Sequence, residues 1–159
     1  MTLTDEVLAA MECSNAYCNN AQIVILPADK AADYADAESL AGLQFAVESG
    51  SSGEAVAKDN KFNYTAVTDQ ATTLLEVESG NADAAIIDSL MAAAMVGEGT
   101  DYADLTYTIQ LSTEEYGVGF RKGSDAAEAL NEFFKDAYAD GTLLAIAQEY
   151  GVQAALIAQ

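Results

Sequence analysis

Two short stretches carry the residues best suited to hold a small polar molecule. Residues 43–54 read LQFAVESGSSGE, which is an apolar run, a Gly/Ser turn and the start of a helix-forming segment. Residues 82–88 read ADAAIID, an apolar run that stops at Asp88. The turn at 50–53 would present backbone N–H groups and hydroxyls at a helix N-terminus, which favours an anion. Asp88 adds a fixed negative charge, so the two stretches together match a small zwitterion such as an amino acid.

Each of these features also has a plainer interpretation. The turn at 50–53 can be an ordinary tight connection between a strand and a helix. It is not a phosphate-binding P-loop, because no Gly-Lys-Ser/Thr follows it. Asp88 is followed by SLMAAAM and can act as the N-cap of that helix. The residues alone leave both interpretations open.

Strands and helices must position these residues, and the sequence indicates where they lie. From residue 21 onward, short apolar runs alternate with helix-forming segments. Strands are predicted at 21–26, 43–47, 63–67, 83–87, 105–111 and 115–120. Helices are predicted at 52–60, 69–79, 89–97, 124–139 and 142–150, with Thr68 and Ser124 as N-caps. Strands separated by helices of this length predict an α/β fold with a mostly parallel sheet. The turn at 50–53 and Asp88 would meet at the carboxyl edge of that sheet, where open α/β folds bind ligands.

The charge of the chain narrows the choice of partners. The sequence has 26 Asp and Glu residues against 6 Lys and Arg residues, a net charge of −20. Nucleic acids and anionic membrane surfaces both need cationic contacts, so no nucleic-acid partner is expected. The acidic surface indicates solubility, with a halophilic or cation-steering role as the alternative. No stretch is apolar enough to span a bilayer, and the N-terminus lacks the basic start and apolar centre of a signal peptide.

The residues most common in catalysis and metal binding are scarce. Histidine and tryptophan are absent, and the only cysteines are Cys13 and Cys18. Their spacing lies outside the C-x-x-C pattern of redox and zinc sites, so no metal site and no cofactor are expected. Two free thiols or one local disulfide both remain open.

Six stretches, in this order and spacing, resemble the polar amino-acid-binding proteins of ABC importers, the family 3 extracellular solute-binding proteins. The stretches are MTLTDE (1–6), SNAYCNNAQIVIL (14–26), LAGLQFAVESGSSGEAVAKD (40–59), ESGNADAAIID (78–88), YGVGFRKG (116–123) and LNEFFKDAYADGTLLAIAQEYG (130–151). Each motif alone is weak, and their shared order over nearly the whole chain carries the resemblance. It implies a type II periplasmic-binding-protein-like fold, in which two α/β lobes are joined by two crossing strands and hold the ligand between them.

The resemblance also implies a division of the chain. Residues 1–27 match a remnant of lobe 1 with the first crossing strand, 28–111 match lobe 2, and 112–159 match the second crossing strand and the C-terminal helices of lobe 1. Chains of the family begin with further parts of lobe 1, so one complete lobe and one incomplete lobe are expected. The apolar stripe of the C-terminal helices would then be exposed, and we expect a homodimer completed by domain swapping. The helix at 124–139 contributes Leu130, Phe133, Phe134 and Ala137 to this stripe.

The positions that the resemblance assigns to ligand binding are Ser51, Ser52, Gly53, Asp88, Gln70 and Thr2. The two serines and Gly53 would hold the α-carboxylate, and Asp88 would hold the ammonium group. Gln70 stands where the family often has a polar group near the cleft, and Thr2 stands at a first-lobe hydroxyl position. Val7 occupies the position where the family usually has an arginine that clamps the carboxylate.

The resemblance predicts a substrate-binding component of an amino-acid importer, extracytoplasmic in its parent protein, that docks on a membrane permease. One alternative is a truncated, oligomeric remnant that no longer binds ligand. A less favoured alternative is a dehydratase-like enzyme on the same scaffold, since histidine is absent and Glu54 is the only further carboxylate expected near the cleft. No catalytic residue is predicted, and the sequence does not indicate which amino acid would bind.

Overall fold

The computed structural model describes the backbone of residues 1–159 and every side chain except that of Thr108. The chain divides into a terminal unit, residues 1–20 with 114–159, and a central unit, residues 21–113. The first division falls before the strand at 22–27, whereas the predicted lobe boundary lies after it. The reason is that this strand pairs on both sides with strands of the central unit.

The helices are α1 Asp5–Ala10, α2 Ser52–Asp59, α3 Gln70–Glu78, α4 Ser89–Met95, α5 Ala126–Ala139 and α6 Thr142–Glu149. The strands are β1 Met11–Cys13, β2 Cys18–Asn20, β3 Gln22–Pro27, β4 Gln44–Glu48, β5 Asn63–Val67, β6 Ala84–Asp88, β7 Leu105–Gln110, β8 Glu114–Tyr116 and β9 Gly119–Arg121. The predicted strands and helices of the central unit are confirmed to within two residues at each end. No helix in the described part of the chain has the length and apolar character that a membrane crossing requires.

The central unit is built on a sheet with the strand order β5-β4-β6-β3-β7. Strand β4 runs parallel to both β5 and β6. Strand β3 runs antiparallel to both β6 and β7. Four strands therefore point the same way and β3 alone is reversed, which confirms the α/β fold and the mostly parallel sheet.

Both faces of this sheet are buried along its three central strands, β4, β6 and β3. In β3, Ile23 and Ile25 belong to one core cluster while Val24 and Leu26 belong to the other, since alternate residues of a strand point to opposite faces. Helix α3 supplies Leu74 to the first cluster, and α2 supplies a buried alanine to the second. Burial on both faces explains why these central strands read as nearly continuous apolar runs in the sequence, unlike the edge strands β5 and β7.

Helix α3 begins one residue later than predicted, because its N-cap is Asp69 rather than Thr68. The Asp69 carboxylate accepts hydrogen bonds from the Thr72 backbone N–H at 2.7 Å and from the Thr72 hydroxyl at 2.8 Å. These hydrogen bonds hold the pKa of Asp69 below its ordinary value. The bond from the Thr72 backbone N–H has the largest effect, and the bond from the Thr72 hydroxyl comes second. An ionised cap at this end of a helix is favoured by the helix dipole.

The Asp69 cap predicts a pH-dependent contribution to stability. Because folding lowers the pKa of this carboxyl, its stabilisation is present above the pKa of the unfolded state and is lost as the pH falls through the folded pKa. Asp69→Ala should therefore destabilise the protein at neutral pH, with a smaller difference from the parent well below about pH 4. Urea unfolding at both pH values measures this.

Asp125 offers a matched control for this prediction. It is the N-cap residue of α5, but its side chain makes no capping hydrogen bond. Asp125→Ala should therefore have a smaller effect at neutral pH, and equal losses in the two variants would contradict the assigned role of Asp69.

The terminal unit contains two short ribbons, in which β1 pairs with β9 and β2 pairs with β8. The single strand predicted at 115–120 is therefore wrong, because residues 114–116 and 119–121 pair with different partners. Helix α1 and strands β1 and β2 were not predicted, since each is too short to show a periodic apolar pattern.

Helix α5 begins after Asp125, and the predicted cap Ser124 accepts a hydrogen bond from the Ala126 N–H at 3.2 Å. Its apolar stripe is divided between the interior and the surface, with Phe134 buried and Phe133 58% exposed. The homodimer, the domain swap and the incomplete first lobe remain predictions.

Candidate functional site

The Gly/Ser turn joins β4 to α2 and is held by its own hydrogen bonds. Ser51 is the N-cap of α2, and its hydroxyl oxygen accepts from the Glu54 N–H at 3.2 Å. The same hydroxyl donates to the Glu48 carbonyl oxygen at 2.7 Å. The Glu54 carboxylate in turn accepts from the Gly50 N–H at 2.7 Å. This reciprocal arrangement closely follows a capping box and fixes the path of the turn.

The first turn of α2 directs backbone donors outward from the helix N-terminus. The first N–H groups of an α-helix have no acceptor within the helix, and the helix dipole places partial positive charge there. Ser52 and Gly53 are the first two residues of α2. The predicted carboxylate-binding residues therefore lie in backbone geometry that suits an anion.

Gly53 allows α2 to approach the sheet closely. A Cβ atom added to this buried glycine would lie 2.9 Å from the Ile86 carbonyl oxygen and 3.1 Å from Oε1 of Gln22. Such distances leave no room for a side chain without a shift of the neighbouring groups. The first turn of α2 thus rests directly on β6 and on the first residue of β3.

Asp88 ends β6 and is held by two glutamines. Its Oδ1 accepts from Nε2 of Gln22 at 2.6 Å, and its Oδ2 accepts from Nε2 of Gln70 at 2.5 Å. The Asp88 N–H also donates to Oε1 of Gln70 at 3.1 Å. Asp88 occupies the N-cap position of α4, but its side chain makes no capping hydrogen bond. The plainer interpretation of its carboxylate as a helix cap is therefore wrong.

The structure brings the turn at 50–53 and Asp88 to the same edge of the central sheet. Strands β4 and β6 are parallel neighbours, so their carboxyl ends lie side by side. Gln22 contacts both regions, since its amide nitrogen bonds Asp88 and its amide oxygen faces Gly53. Gln70 reaches the same carboxylate from the first residue of α3. Five of the six predicted positions therefore converge in the central unit.

The sixth position, Thr2, lies in the terminal unit within a buried polar network. Its hydroxyl donates to Oε2 of Glu114 at 3.0 Å. Nδ2 of Asn20 donates to the same oxygen at 3.1 Å and to the Tyr116 hydroxyl at 2.9 Å. Glu114 is only 9% exposed.

The sequence did not single out three residues of these networks, Asn20, Gln22 and Glu114. The partners of Glu114 lie far away along the chain, so no local pattern reveals it. Gln22 had a weak signal, because it is a polar residue near the start of the otherwise apolar stretch AQIVIL.

Glu54 is committed to the structure of the turn. Its other carboxylate oxygen forms an ion pair with Lys58 at 2.9 Å and accepts from the Tyr64 hydroxyl at 3.2 Å. The hydrogen bond from the Gly50 N–H, followed by the contact with Lys58, lowers the pKa of Glu54. A carboxyl held ionised in this way is poorly suited to act as a general acid.

The cysteines and carboxylates do not form a metal centre in the part of the chain described. Cys13 and Cys18 are both free thiols, which settles the choice left open by their spacing. Burial raises the pKa of the Cys18 thiol, which disfavours the reactive thiolate. Among the described side chains, no group of three or more Cys, Asp or Glu residues is arranged to hold a metal ion.

The fold of this chain is similar to that of several solved protein structures. No protein-family model and no curated protein sequence matches the chain. A mutant of ArgBP from T. maritima is similar over 94% of this chain, with a TM-score of 0.84 and 27% identity. The ancestral amino acid-binding protein AncCDT-1, a precursor of cyclohexadienyl dehydratase, is similar over 94%, with a TM-score of 0.83 and 27% identity.

A third structure is that of AbpA, an amino acid ABC transporter substrate-binding protein from Streptococcus pneumoniae, bound to L-arginine. It shares the fold over 94% of this chain, with a TM-score of 0.83 and 21% identity. The chain spans 66% of the length of the ArgBP and AncCDT-1 chains and 65% of the AbpA chain. The protein therefore has the α/β fold of type II periplasmic binding proteins, and its structural neighbours include amino-acid-binding proteins.

Proposed function

We propose that this chain is the amino-acid-binding component of an ABC importer, extracytoplasmic in its parent protein and docking on a membrane permease. The ligand would be held between the two lobes of the fold. The observation that carries the proposal is the position of the first turn of α2 and Asp88 at one edge of the central sheet. An anion-binding helix terminus beside a carboxylate is the donor and acceptor set that a free amino acid requires.

The two ends of the ligand would bind to different parts of this edge. Its α-carboxylate accepts hydrogen bonds from Ser52 and Gly53 at the positive end of α2. Ser51 would hold the turn rather than donate to the ligand, because its N–H and its hydroxyl both donate to the Glu48 carbonyl oxygen. The ammonium group of the ligand donates to Asp88.

Two predicted ligand contacts complete the proposal. Gln70 would lie beside the ammonium group, because its amide already bonds the carboxylate that receives that group. Thr2 would contribute a hydroxyl from the terminal unit, where Glu114 orients it.

Binding is a better supported role than catalysis. AncCDT-1 is described as a precursor of a dehydratase, so the fold is found close to an enzyme. Against this, the sequence has no histidine, and Glu54 is ionised and bonded within its own turn. We therefore propose no catalytic residue and no cofactor.

The first test is stabilisation by free amino acids, with L-arginine as the leading probe because it is the ligand present in AbpA. We expect one of the twenty amino acids to raise the unfolding free energy by about 2.7 kcal/mol at a concentration 100 times its dissociation constant. Thermal unfolding with and without each amino acid measures the stabilisation, and isothermal titration calorimetry then measures the dissociation constant of the amino acid that stabilises the protein.

Agmatine, which lacks the α-carboxylate of arginine, separates a specific site from attraction of cations to a chain of net charge −20. Agmatine should bind more weakly than L-arginine at a specific site, whereas equal binding would indicate non-specific attraction. If none of the twenty amino acids stabilises the protein, the non-binding remnant becomes the better description.

A further inference from the structure

We propose that Gln22 is a positioning residue, which fixes the Asp88 carboxylate relative to the first turn of α2 so that one ligand can contact both. This inference rests on the proposed amino-acid binding, because it assigns the residue that sets the geometry of that same site. Gln22 would act through Asp88 and Gly53 rather than by touching the ligand.

The position of Gln22 in the sheet makes it a rigid reference. It lies directly opposite Asp88 in the antiparallel pairing of β3 with β6. Its side chain is 2% exposed, so rotamer changes are restricted by surrounding atoms. Cross-strand neighbours of this kind lie close enough for their side chains to bond directly.

The backbone of Gln22 is held as firmly as its side chain. Its N–H donates to the Ser112 hydroxyl at 3.2 Å, and its carbonyl oxygen accepts from the Leu111 N–H at 2.8 Å. Both partners lie just after β7, the other neighbour of β3. Gln22 is therefore fixed from both sides of its strand.

The chemistry of an amide gives the Gln22 side chain a single useful orientation. An ionised carboxylate only accepts hydrogen bonds, so the NH₂ end of the amide must face Asp88. The carbonyl end then faces Gly53, where a Cβ atom would lie 3.1 Å from Oε1. One planar group thus spans the distance between the ammonium-binding and carboxylate-binding parts of the proposed site.

The second glutamine, Gln70, completes the arrangement from a different element. It holds the other oxygen of Asp88 from the first residue of α3, and it is less buried than Gln22. Two donors on two oxygens determine the plane of the carboxylate. Such support of a binding group by fixed neighbours is what keeps a site in its productive geometry.

The experiment compares two probes in two variants. Gln22→Met keeps a side chain of similar length and removes the amide. Gln44→Met is the control, the same change in strand β4, which β6 separates from β3. The Gln44 amide donates to the Thr65 hydroxyl, away from Asp88. The probes are L-arginine and 5-guanidinopentanoic acid, which is arginine without its α-amino group.

We expect Gln22→Met to weaken L-arginine binding by about tenfold, the scale of one hydrogen bond to a charged group. The loss should be much smaller for 5-guanidinopentanoic acid, since that probe has no ammonium group for Asp88 to receive. Gln44→Met should change neither affinity. Equal losses for the two probes in Gln22→Met would overturn the positioning role, because a general structural defect would not distinguish them.

A second measurement keeps the inference testable if Gln22→Met does not fold or if no amino acid binds. In ¹⁵N-labelled protein, Asp88→Asn should shift the side-chain NH₂ resonances of Gln22, and Asp83→Asn at the other end of β6 should not. Unchanged Gln22 resonances in Asp88→Asn would overturn the inference. A shift without any amino-acid binding would support the Gln22–Asp88 link while rejecting the proposed function.

Discussion

Asp88→Asn should reduce the affinity for the amino-acid ligand by about 10-fold to 100-fold, the largest loss we expect from any single conservative change at the site. The substitution keeps the size of the side chain and removes the negative charge that would receive the ammonium group. It also replaces one carboxylate oxygen by an NH₂ group, which would face the NH₂ end of Gln22 or of Gln70. Isothermal titration with L-arginine, or with whichever amino acid stabilises the parent protein, measures the loss.

Asp83→Asn is the matched control for this prediction. Asp83 lies just before the opposite end of β6, where its carboxylate accepts from the Gln44 N–H at 2.9 Å. Both variants change the net charge by one unit, so a general effect of charge would appear equally in each. We expect ligand affinity to be unchanged in Asp83→Asn. Retained affinity in a folded Asp88→Asn protein would mean that the ammonium group binds elsewhere.

Gly53→Ala should destabilise the protein by about 1–3 kcal/mol, the usual effect of extra volume in a packed interior. This result has the opposite sign from helix propensity, since replacing glycine by alanine inside a helix ordinarily stabilises it by about 1 kcal/mol. The reason is the contact of α2 with the sheet, where the new methyl group would lie 2.9 Å from the Ile86 carbonyl oxygen and 3.1 Å from Gln22. Urea unfolding monitored by circular dichroism measures the change.

Ala55→Gly isolates the propensity term in the same helix. Ala55 is an exposed residue of α2, so this substitution should destabilise the protein by about 1 kcal/mol through propensity alone. Gly53→Ala and Ala55→Gly should then both destabilise, although one adds the methyl group that the other removes. A Gly53→Ala protein more stable than its parent would show that α2 can move away from the sheet at no cost.

Some residues of the predicted site could be recognised from the local sequence, and others could not. The turn at 50–53 and Asp88 were recognisable because each follows an apolar strand, and strands of a parallel sheet end at a common edge. That inference needs only the direction of the strands, which the intervening helices indicate. The role of Gln22 was not recognisable, because its partner Asp88 lies far along the chain in an antiparallel neighbour.

The same distinction applies to the carboxylates. Glu54 was expected near a cleft, but local contacts with the Gly50 N–H and with Lys58, together with a hydrogen bond from Tyr64 of β5, occupy its oxygens. Glu114 was not singled out, and the fold buries it against Thr2. Hydrogen-bond partners decide the chemistry of a carboxyl group. The partners of Glu114 and one partner of Glu54 lie on other elements, where the local sequence does not reveal them.

The sequence by itself determined the α/β class, the elements of the central unit and the edge at which its polar residues gather. Apolar periodicity and the alternation of strands with helices are local properties. They can be recognised in the sequence without knowing which segments contact each other in the fold. Only the tertiary structure decided that β3 runs against the other strands, that residues 114–121 form two ribbons with separate partners, and that Gln22 links Asp88 to the first turn of α2. Strand pairing depends on which segments meet in space, and residues distant in sequence carry no mutual signal until the chain has folded.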